Sequence, residues 1–339
     1  MNILAIETSC DETACAIVKD GVFEIASVVA SSKDLHELTG GVVPEIAARK
    51  QIESIVSVIE QTLKKANFNR NGREIDAIAV TIGPGLIGSL LVGVEAAKAL
   101  ALVWNKPLIP VNHLIGHIYA NFIRRDSSKG LPTFPAVVLI ISGGHTDLVL
   151  MRGHGDFEFI GGTLDDAAGE AFDKTARLLG LAKYLGGAEL SELAASCKQN
   201  LAQGVLPRPM LDQDNFDFSF SGLKTAVKRV VENNKYPTDS VAREFETALA
   251  DVVVTKTIKA ALKFNCKQIL MGGGVSANKY LRNRLSNEAR EKGVTVLVPD
   301  FDLCTDNAVY IASAAYFNNK PKSFAAVNAN PSLGIVDLA

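Results

Sequence analysis

A chain of 339 residues, 47% hydrophobic and 21% charged, has the length for one large domain or two medium lobes and the apolar content for a substantial core. Its 35 basic and 37 acidic side chains give a formal charge of −2, which excludes a protein that grips nucleic acid by overall basicity and leaves such contacts to local patches or partner subunits. The five cysteines (Cys10, Cys15, Cys197, Cys266, Cys304) are odd in number and contain no CxxC pair, which excludes a disulfide framework or a cysteine zinc site and fits reduced thiols.

The first residues reach Glu7 with no basic start and no signal-like apolar stretch, and no uninterrupted apolar run of about 18 residues follows. The expectation is a cytoplasmic protein with no membrane association. Residues 3–6 and 14–18 read as two strands around the polar turn Glu7-Thr8-Ser9-Cys10-Asp11-Glu12-Thr13, and residues 22–29 continue the meander. A helix opening near Pro44 carries Ile52, Ile55, Val56, Ile59 and Leu63 as the face expected to cover a sheet. Residues 77–82 form a further strand, followed by a glycine-rich loop, an Ala-rich helix to Val103, a short strand at 108–111 and a helix with His113 and His117. From Pro135 the same order recurs: a hairpin of residues 137–141 and 147–151, a strand at 268–271 running into glycines, a helix, a strand at 294–298 and a last helix after Thr305. Alternation of this kind predicts an α/β fold. It divides into two duplicated subdomains, 1–130 and 131–339, with an insertion around 180–237 in the second; the last helix is allowed to pack back on the first lobe. A cleft between the two copies is the expected site.

Gly83-Pro84-Gly85-Leu86-Ile87-Gly88 matches G-x-G-x-x-G, but the next strand ends Pro110-Val111-Asn112 without the acid that a dinucleotide fold requires. A tight strand-to-helix turn with close backbone packing is the better reading. Ser142-Gly143-Gly144-His145-Thr146 in a hairpin turn, and Gly272-Gly273-Gly274-Val275-Ser276-Ala277-Asn278 between a strand and a helix, offer backbone N–H groups to a nucleotide phosphate. Neither ends in the Gly-Lys-Ser/Thr of a P-loop.

His113-Leu-Ile-Gly-His117 sets two imidazoles at i and i+4 on one helical face, a spacing suited to a divalent metal. Asp306 lies in the corresponding region of the second copy, so the two lobes are expected to deliver two histidines and one carboxylate to one point; N-capping by Thr305 or Asp306 is the plainer role. A zinc protease needs H-E-x-x-H, and Leu114 stands where its Glu would be. Asp11 and Glu12 in the first turn are candidates for metal or proton handling. Asp165 to Lys174 reads as an acidic helix with Asp166/Glu170 and Glu170/Lys174 pairs.

Taken in order, Glu7–Thr13, Gly40-Gly41-Val42-Val43-Pro44-Glu45, Gly83-Pro84-Gly85-Leu86, His113-x-x-Gly116-His117, Ser142–Thr146, Asp165–Lys174, Phe218-Ser219-Phe220-Ser221-Gly222-Leu223-Lys224, Gly273–Asn278 and Cys304-Thr305-Asp306-Asn307 resemble the tRNA N6-adenosine threonylcarbamoyltransferase family. The resemblance implies the actin-like, Hsp70-like and sugar-kinase-like ATPase fold, with two ribonuclease H-like subdomains. It implies a divalent metal on His113, His117 and Asp306, iron(II) or zinc, and places substrate on Ile140, Ile141, Ser142, Gly143, Gly144, Asp173, Gly187 and Asn278. The implied substrate is threonylcarbamoyl-AMP, with an ATP-like nucleotide able to occupy the cleft, and the acceptor is adenosine 37 of tRNAs reading codons that begin with A. Implied partners are a small scaffold paralogue of the same fold and an ATPase, with a threonylcarbamoyl-AMP synthase upstream. The chain departs from the family pattern in having Ala188 after Gly186-Gly187 where proline is usual, Asn112 where many members have His, and Ala308 where many have Gly. Arg124, Arg125, Lys224, Lys228 and Arg229 are candidate phosphate contacts. A small-molecule kinase of the same fold and a non-catalytic paralogue are the alternatives, the latter disfavoured by the intact metal ligands.

Overall fold

The computed structural model describes residues 1–125, 130–198, 201, 204–233 and 235–337. In chain order the strands and α-helices are β1 (Asn2–Glu7), β2 (Glu12–Lys19), β3 (Phe23–Ser31), α1 (Lys33–Thr39), α2 (Pro44–Lys65), β4 (Ala77–Gly83), α3 (Ile87–Trp104), β5 (Leu108–Asn112) and α4 (His113–Tyr119). Then follow β6 (Ala136–Ile141), β7 (Thr146–Gly153), β8 (Asp156–Gly162), α5 (Ala168–Leu178), α6 (Gly187–Ser196), α7 (Ser221–Glu232), α8 (Thr238–Lys263), β9 (Gln268–Gly272), α9 (Lys279–Glu291), β10 (Thr295–Leu297) and α10 (Val309–Asn318).

Two compact units result. The first comprises Met1–Pro132, His154–Asp156 and Pro299–Ala339; the second comprises Thr133–Gly153 and Phe157–Val298. The division therefore differs from a single boundary after residue 130: residues 299–339 group with the first unit. The physical reason is α10, which buries Val309, Tyr310, Ile311, Ala312, Ala314 and Ala315 and packs against α4, β1 and β2.

The first unit carries a five-stranded sheet in the order β3-β2-β1-β4-β5, with β1 antiparallel to β2 and parallel to β4. β1 buries Ile3, Leu4, Ala5 and Ile6 completely, as a strand covered on both faces must. α2 and α3 pack together over this sheet. The face of α2 that points inward is Gln51, Ile55, Val58, Ile59, Thr62 and Leu63, whereas Ile52 and Val56, expected there, are exposed. A buried polar residue replaces them for a reason: the Gln51 amide donates to Cys10 O (2.9 Å) and Glu12 O (3.1 Å), fastening the β1–β2 turn to the helix. α3 is long and apolar enough to cross a membrane by length and composition, a feature not anticipated from the sequence. It contains Glu95 and Lys98, and it buries Leu90, Val94, Ala97 and Ala101 within this unit.

The second unit repeats the topology, β8-β7-β6-β9-β10, with β6 antiparallel to β7 and parallel to β9. β8 is its third strand. The core forms around α8, which buries Val241, Phe245, Leu249, Val252 and Val253. α6 and α7 lie within the stretch read as an insertion; its residues 199–200, 202–203 and 234 lie outside the described residues.

The G-x-G-x-x-G segment is the tight turn expected of it. Leu86 N donates to Ser9 O at 2.8 Å, and a Cβ on Gly85 would lie 2.4 Å from the same oxygen, so the loop is spent on backbone packing. A similar constraint operates at Gly93 of α3, where a Cβ would meet Thr8 Oγ1 at 2.3 Å while that hydroxyl donates to Ser89 O. Gly93→Ala is expected to lower stability by about 1–3 kcal/mol, read as a lower thermal midpoint; an unchanged midpoint would show that the Thr8 contact is slack.

Candidate metal centre and nucleotide loops

Three elements of the first unit converge at the carboxyl ends of its parallel strands. β1 ends in Glu7, β5 passes directly into α4 at His113, and the loop before α10 carries Asp306. Among the described residues, the ligand atoms of His113, His117 and Asp306 lie within 4.8 Å of one another. Nε2 of His113 is 3.6 Å, and Nε2 of His117 3.5 Å, from Asp306 Oδ1. Tetrahedral ligands about 2.1 Å from a common ion are separated by about 3.4 Å, so the trio fits a divalent cation. All three belong to one unit, which corrects the expectation that each lobe supplies part of the set.

The sequence places these side chains through local capping. Asn112 caps α4, its Oδ1 accepting from Leu114 N (2.9 Å) and its Nδ2 donating to Gly334 O (2.8 Å). Asn307, one residue before the N-cap position of α10, accepts from Val309 N (3.0 Å) and Tyr310 N (3.3 Å). Neither Thr305 nor Asp306 does so, and the Asp306 carboxylate is left to the histidines and to the Tyr310 hydroxyl, 3.4 Å away.

Glu7, quoted in a motif but given no role from sequence, is the residue that orients the site. It is 1% exposed; Oε1 accepts from Ser9 N (2.6 Å), and Oε2 accepts from the Thr81 hydroxyl and lies 3.2 Å from His113 Nδ1. A carboxylate there makes Nδ1 the protonated nitrogen and leaves the Nε2 lone pair for a metal. His117 has no such brace among the described residues: its Nδ1 is buried there without a hydrogen-bond partner.

The electrostatics ask for a cation. Burial opposes the charge on Asp306, but His113 and His117 hold it below the usual carboxylate range. Burial also works against protonation of His113, yet Asp306 and Glu7 outweigh it and push its pKa up to about 9. His117 is lowered by burial and by the charge of His113. Glu12 is pushed well up by burial and by Asp306, Asp11 and Glu7; a divalent ion among them would relieve that repulsion. Asp11 is 7% exposed, with Oδ2 unpartnered. Of the two candidate proton acceptors, Glu12 is thus biased towards its neutral form.

In the second unit, Ile140 and Ile141 close β6, and Ser142, Gly143 and Gly144 turn into β7, with Ser142 N donating to His145 O (2.8 Å) and both glycines exposed. Gly169 N at the start of α5 donates to Ser142 O (3.1 Å), and a Cβ on Gly273 would meet Ile141 O at 2.5 Å, so α5 and the triple-glycine loop sit against this turn. Asp173 and Gly187 are brought together: Gly187 N, at the start of α6, donates to Asp173 Oδ1 (3.0 Å). Asn278 caps α9 through Leu281 N (2.7 Å), and its Nδ2 donates to Ser191 Oγ (2.9 Å) and to buried Glu246 (2.8 Å). The glycines do not open a helix directly. A 3-10 turn at Gly274–Ala277 intervenes, and Ser276 N and Asn278 N are used within it.

Twin five-stranded sheets of one topology, covered by helices, define the class: an α/β protein of the actin-like, Hsp70-like and sugar-kinase-like ATPase fold. Solved structures agree. HypF of T. kodakarensis superposes with a TM-score of 0.64 over 93% of this chain and 47% of its own, at 14% identity. The activator of 2-hydroxyisocaproyl-CoA dehydratase from Clostridium difficile superposes with a TM-score of 0.52 over 94% of both chains, at 17% identity. The family is shown by sequence. Residues 24–313 match the profile of tRNA N6-adenosine threonylcarbamoyltransferase, and the chain belongs to that family. It is 50% identical to the Bacillus subtilis enzyme of that name over 93% of this chain and 89% of the relative, and 49% identical to the one from Thermomicrobium roseum over 94% and 92%.

Two outcomes follow for the metal centre. Glu7→Gln is expected to weaken zinc or cobalt binding by about 10–100-fold, measured by competition with a chelator; unchanged affinity would remove Glu7 from the role of brace. Because a metal takes neutral imidazole, uptake at pH 7 must expel the His113 proton, so affinity rises by about tenfold per pH unit towards pH 9 and then levels off. Titration calorimetry in buffers of different ionisation enthalpy reads the released proton.

Proposed function

We propose that this chain transfers the threonylcarbamoyl group of threonylcarbamoyl-AMP to the N6 amine of adenosine 37 in tRNAs reading codons that begin with A. The observation that carries the reading is the intact His113, His117 and Asp306 group in a chain half identical, over nearly its full length, to transferases of that name. His113, His117 and Asp306 would hold one divalent ion, iron(II) or zinc, which when bound supplies Lewis-acid charge against oxygens of the mixed anhydride.

The chain's own groups account for the remaining steps. Exposed backbone at Gly143 and Gly144 suits the AMP phosphate, with Ile140, Ile141 and Ser142 beside it and Asp173, Gly187 and Asn278 assigned to the nucleoside. Alanine at 188 leaves the first turn of α6 without the usual proline, and Gly187 N donates to Asp173 at the start of that turn. The N6 amine attacks the carbamoyl carbon, the bond to the AMP phosphate oxygen breaks, and AMP departs with that oxygen's electron pair. Asp11 is the preferred acceptor for the amine proton, with Glu12 serving once a cation offsets its neighbours.

The same reading includes a small scaffold paralogue, an ATPase partner, an upstream threonylcarbamoyl-AMP synthase and a cytoplasmic setting. An apolar surface supports the paralogue: Ile52 and Val56 on α2 and Ile87, Leu91 and Leu102 on α3 are exposed at helical spacing.

The test is transfer of radiolabelled threonine into unmodified tRNA in the presence of bicarbonate, ATP and the family's partner proteins. Label is expected in adenosine with the wild type and to fall by at least about 100-fold with His113→Ala. Equal labelling by both proteins would remove the metal from the reaction, and no labelling by a folded, metal-loaded wild type would remove the reaction itself.

A further inference from the structure

The second unit has a groove that the transfer chemistry does not use. α5 and α7 pack against one another, and between them lies a cavity of about 330 Å³ lined by Lys174, Arg177, Leu178, Lys224, Thr225 and Lys228. Four of those six side chains are cationic, in a chain whose net charge is −2. The concentration of positive charge is therefore local. Lys224 and Lys228 stand one helical turn apart on α7, facing Lys174 and Arg177 of α5.

Two of the cations are held in place. Asp166 accepts from Lys174 (2.8 Å) and Lys224 (3.2 Å), bridging the helices, and Glu170 adds a second contact to Lys174 (2.6 Å). Such sharing fixes the ammonium groups before any ligand arrives, which lowers the entropic cost of binding. The other two are available. Arg177 is exposed and forms no salt bridge among the described residues, and Lys228 makes only a long, exposed contact with Glu232 (3.9 Å). By contrast Arg125, a phosphate candidate from sequence, is committed to Glu24 and Asp302.

We propose that the α5–α7 groove receives the phosphate backbone of tRNA, positioning it without reading its bases; the proposal rests on the transferase reading above. A polyanion is the occupant that matches the available Arg177 and Lys228 beside Lys174 and Lys224, whose charge Asp166 and Glu170 partly offset, and contacts to phosphate fix register while leaving sequence to be read elsewhere.

The test measures tRNA affinity of the full, metal-loaded chain against potassium chloride concentration. Arg177→Glu/Lys228→Glu changes two exposed side chains and is compared with Arg290→Glu/Lys292→Glu, the same charge change at two exposed positions at the C-terminal end of α9. The groove variant is expected to bind at least about tenfold more weakly at low salt, and to flatten the slope of log affinity against log salt by about 1.8, or about 0.9 per lost phosphate contact. Arg177→Lys/Lys228→Arg should bind as the wild type does. Equal weakening by both charge-reversal variants, or none by the groove variant, overturns the proposal while leaving the transferase reading intact, provided the wild type binds tRNA and transfers threonine. Protection of Lys228 from acetylation by inorganic phosphate but not by tRNA would reassign the groove to a small anion and also overturn it. A wild type that neither binds tRNA nor transfers threonine would instead remove the reading on which the proposal rests.

Discussion

The contact between His113 Nδ1 and Glu7 decides which nitrogen of that ring faces Asp306. A buried carboxylate is costly unless its oxygens are satisfied, and Glu7 is satisfied three ways: by Ser9 N, by the Thr81 hydroxyl and by His113. Those partners come from the β1–β2 turn, from β4 and from the first residue of α4. The sheet order β1-β4-β5 is what brings their ends together. The grouping of His113, His117 and Asp306 is thus a consequence of strand topology, and its geometry depends on a group outside those three residues.

Much of the first unit can be understood as support for that arrangement. Gln51 ties the turn containing Cys10 and Glu12 to α2, and Leu86 ties the glycine loop to Ser9. Tyr310 of α10 reaches Asp306, and its ring lies 4.7 Å from that of His117. The buried acids Glu7 and Asp11 are gathered with the half-buried Glu12 and Asp306. Their mutual repulsion, visible in the raised pKa of Glu12, is the feature that a divalent ion would convert from a cost into binding energy.

The fold class and duplication were legible because β1, β2, β4 and their counterparts β6, β7, β9 are short apolar runs bounded by glycine and polar turns. β8 was not, although Asp156, Phe157, Glu158 and Phe159 alternate polar and apolar; its exposed Phe159 and terminal glycines weaken the pattern. The inward face of α2 is not legible locally, because Ile52 and Val56 are as apolar as Ile55 and Ile59 and nothing nearby reveals that a glutamine is buried in their place. His113, His117 and Asp306 were legible by spacing and by motif. The sequence left open the return of the last helix to the first lobe, and that return, a long-range packing event, is what puts all three in one unit. Glu7 as the brace could not be read either: its partner His113 is 106 residues away.

The most direct measurement is mass spectrometry of tRNA nucleosides from a bacterial strain depleted of its own transferase and supplied with this chain. Threonylcarbamoyladenosine restored by the wild type and lost with His117→Ala, at equal protein levels and thermal midpoints, is the predicted result. Restoration by both proteins would contradict the role of the metal centre, and restoration by neither, with the wild type folded and expressed, would contradict the assignment of the reaction.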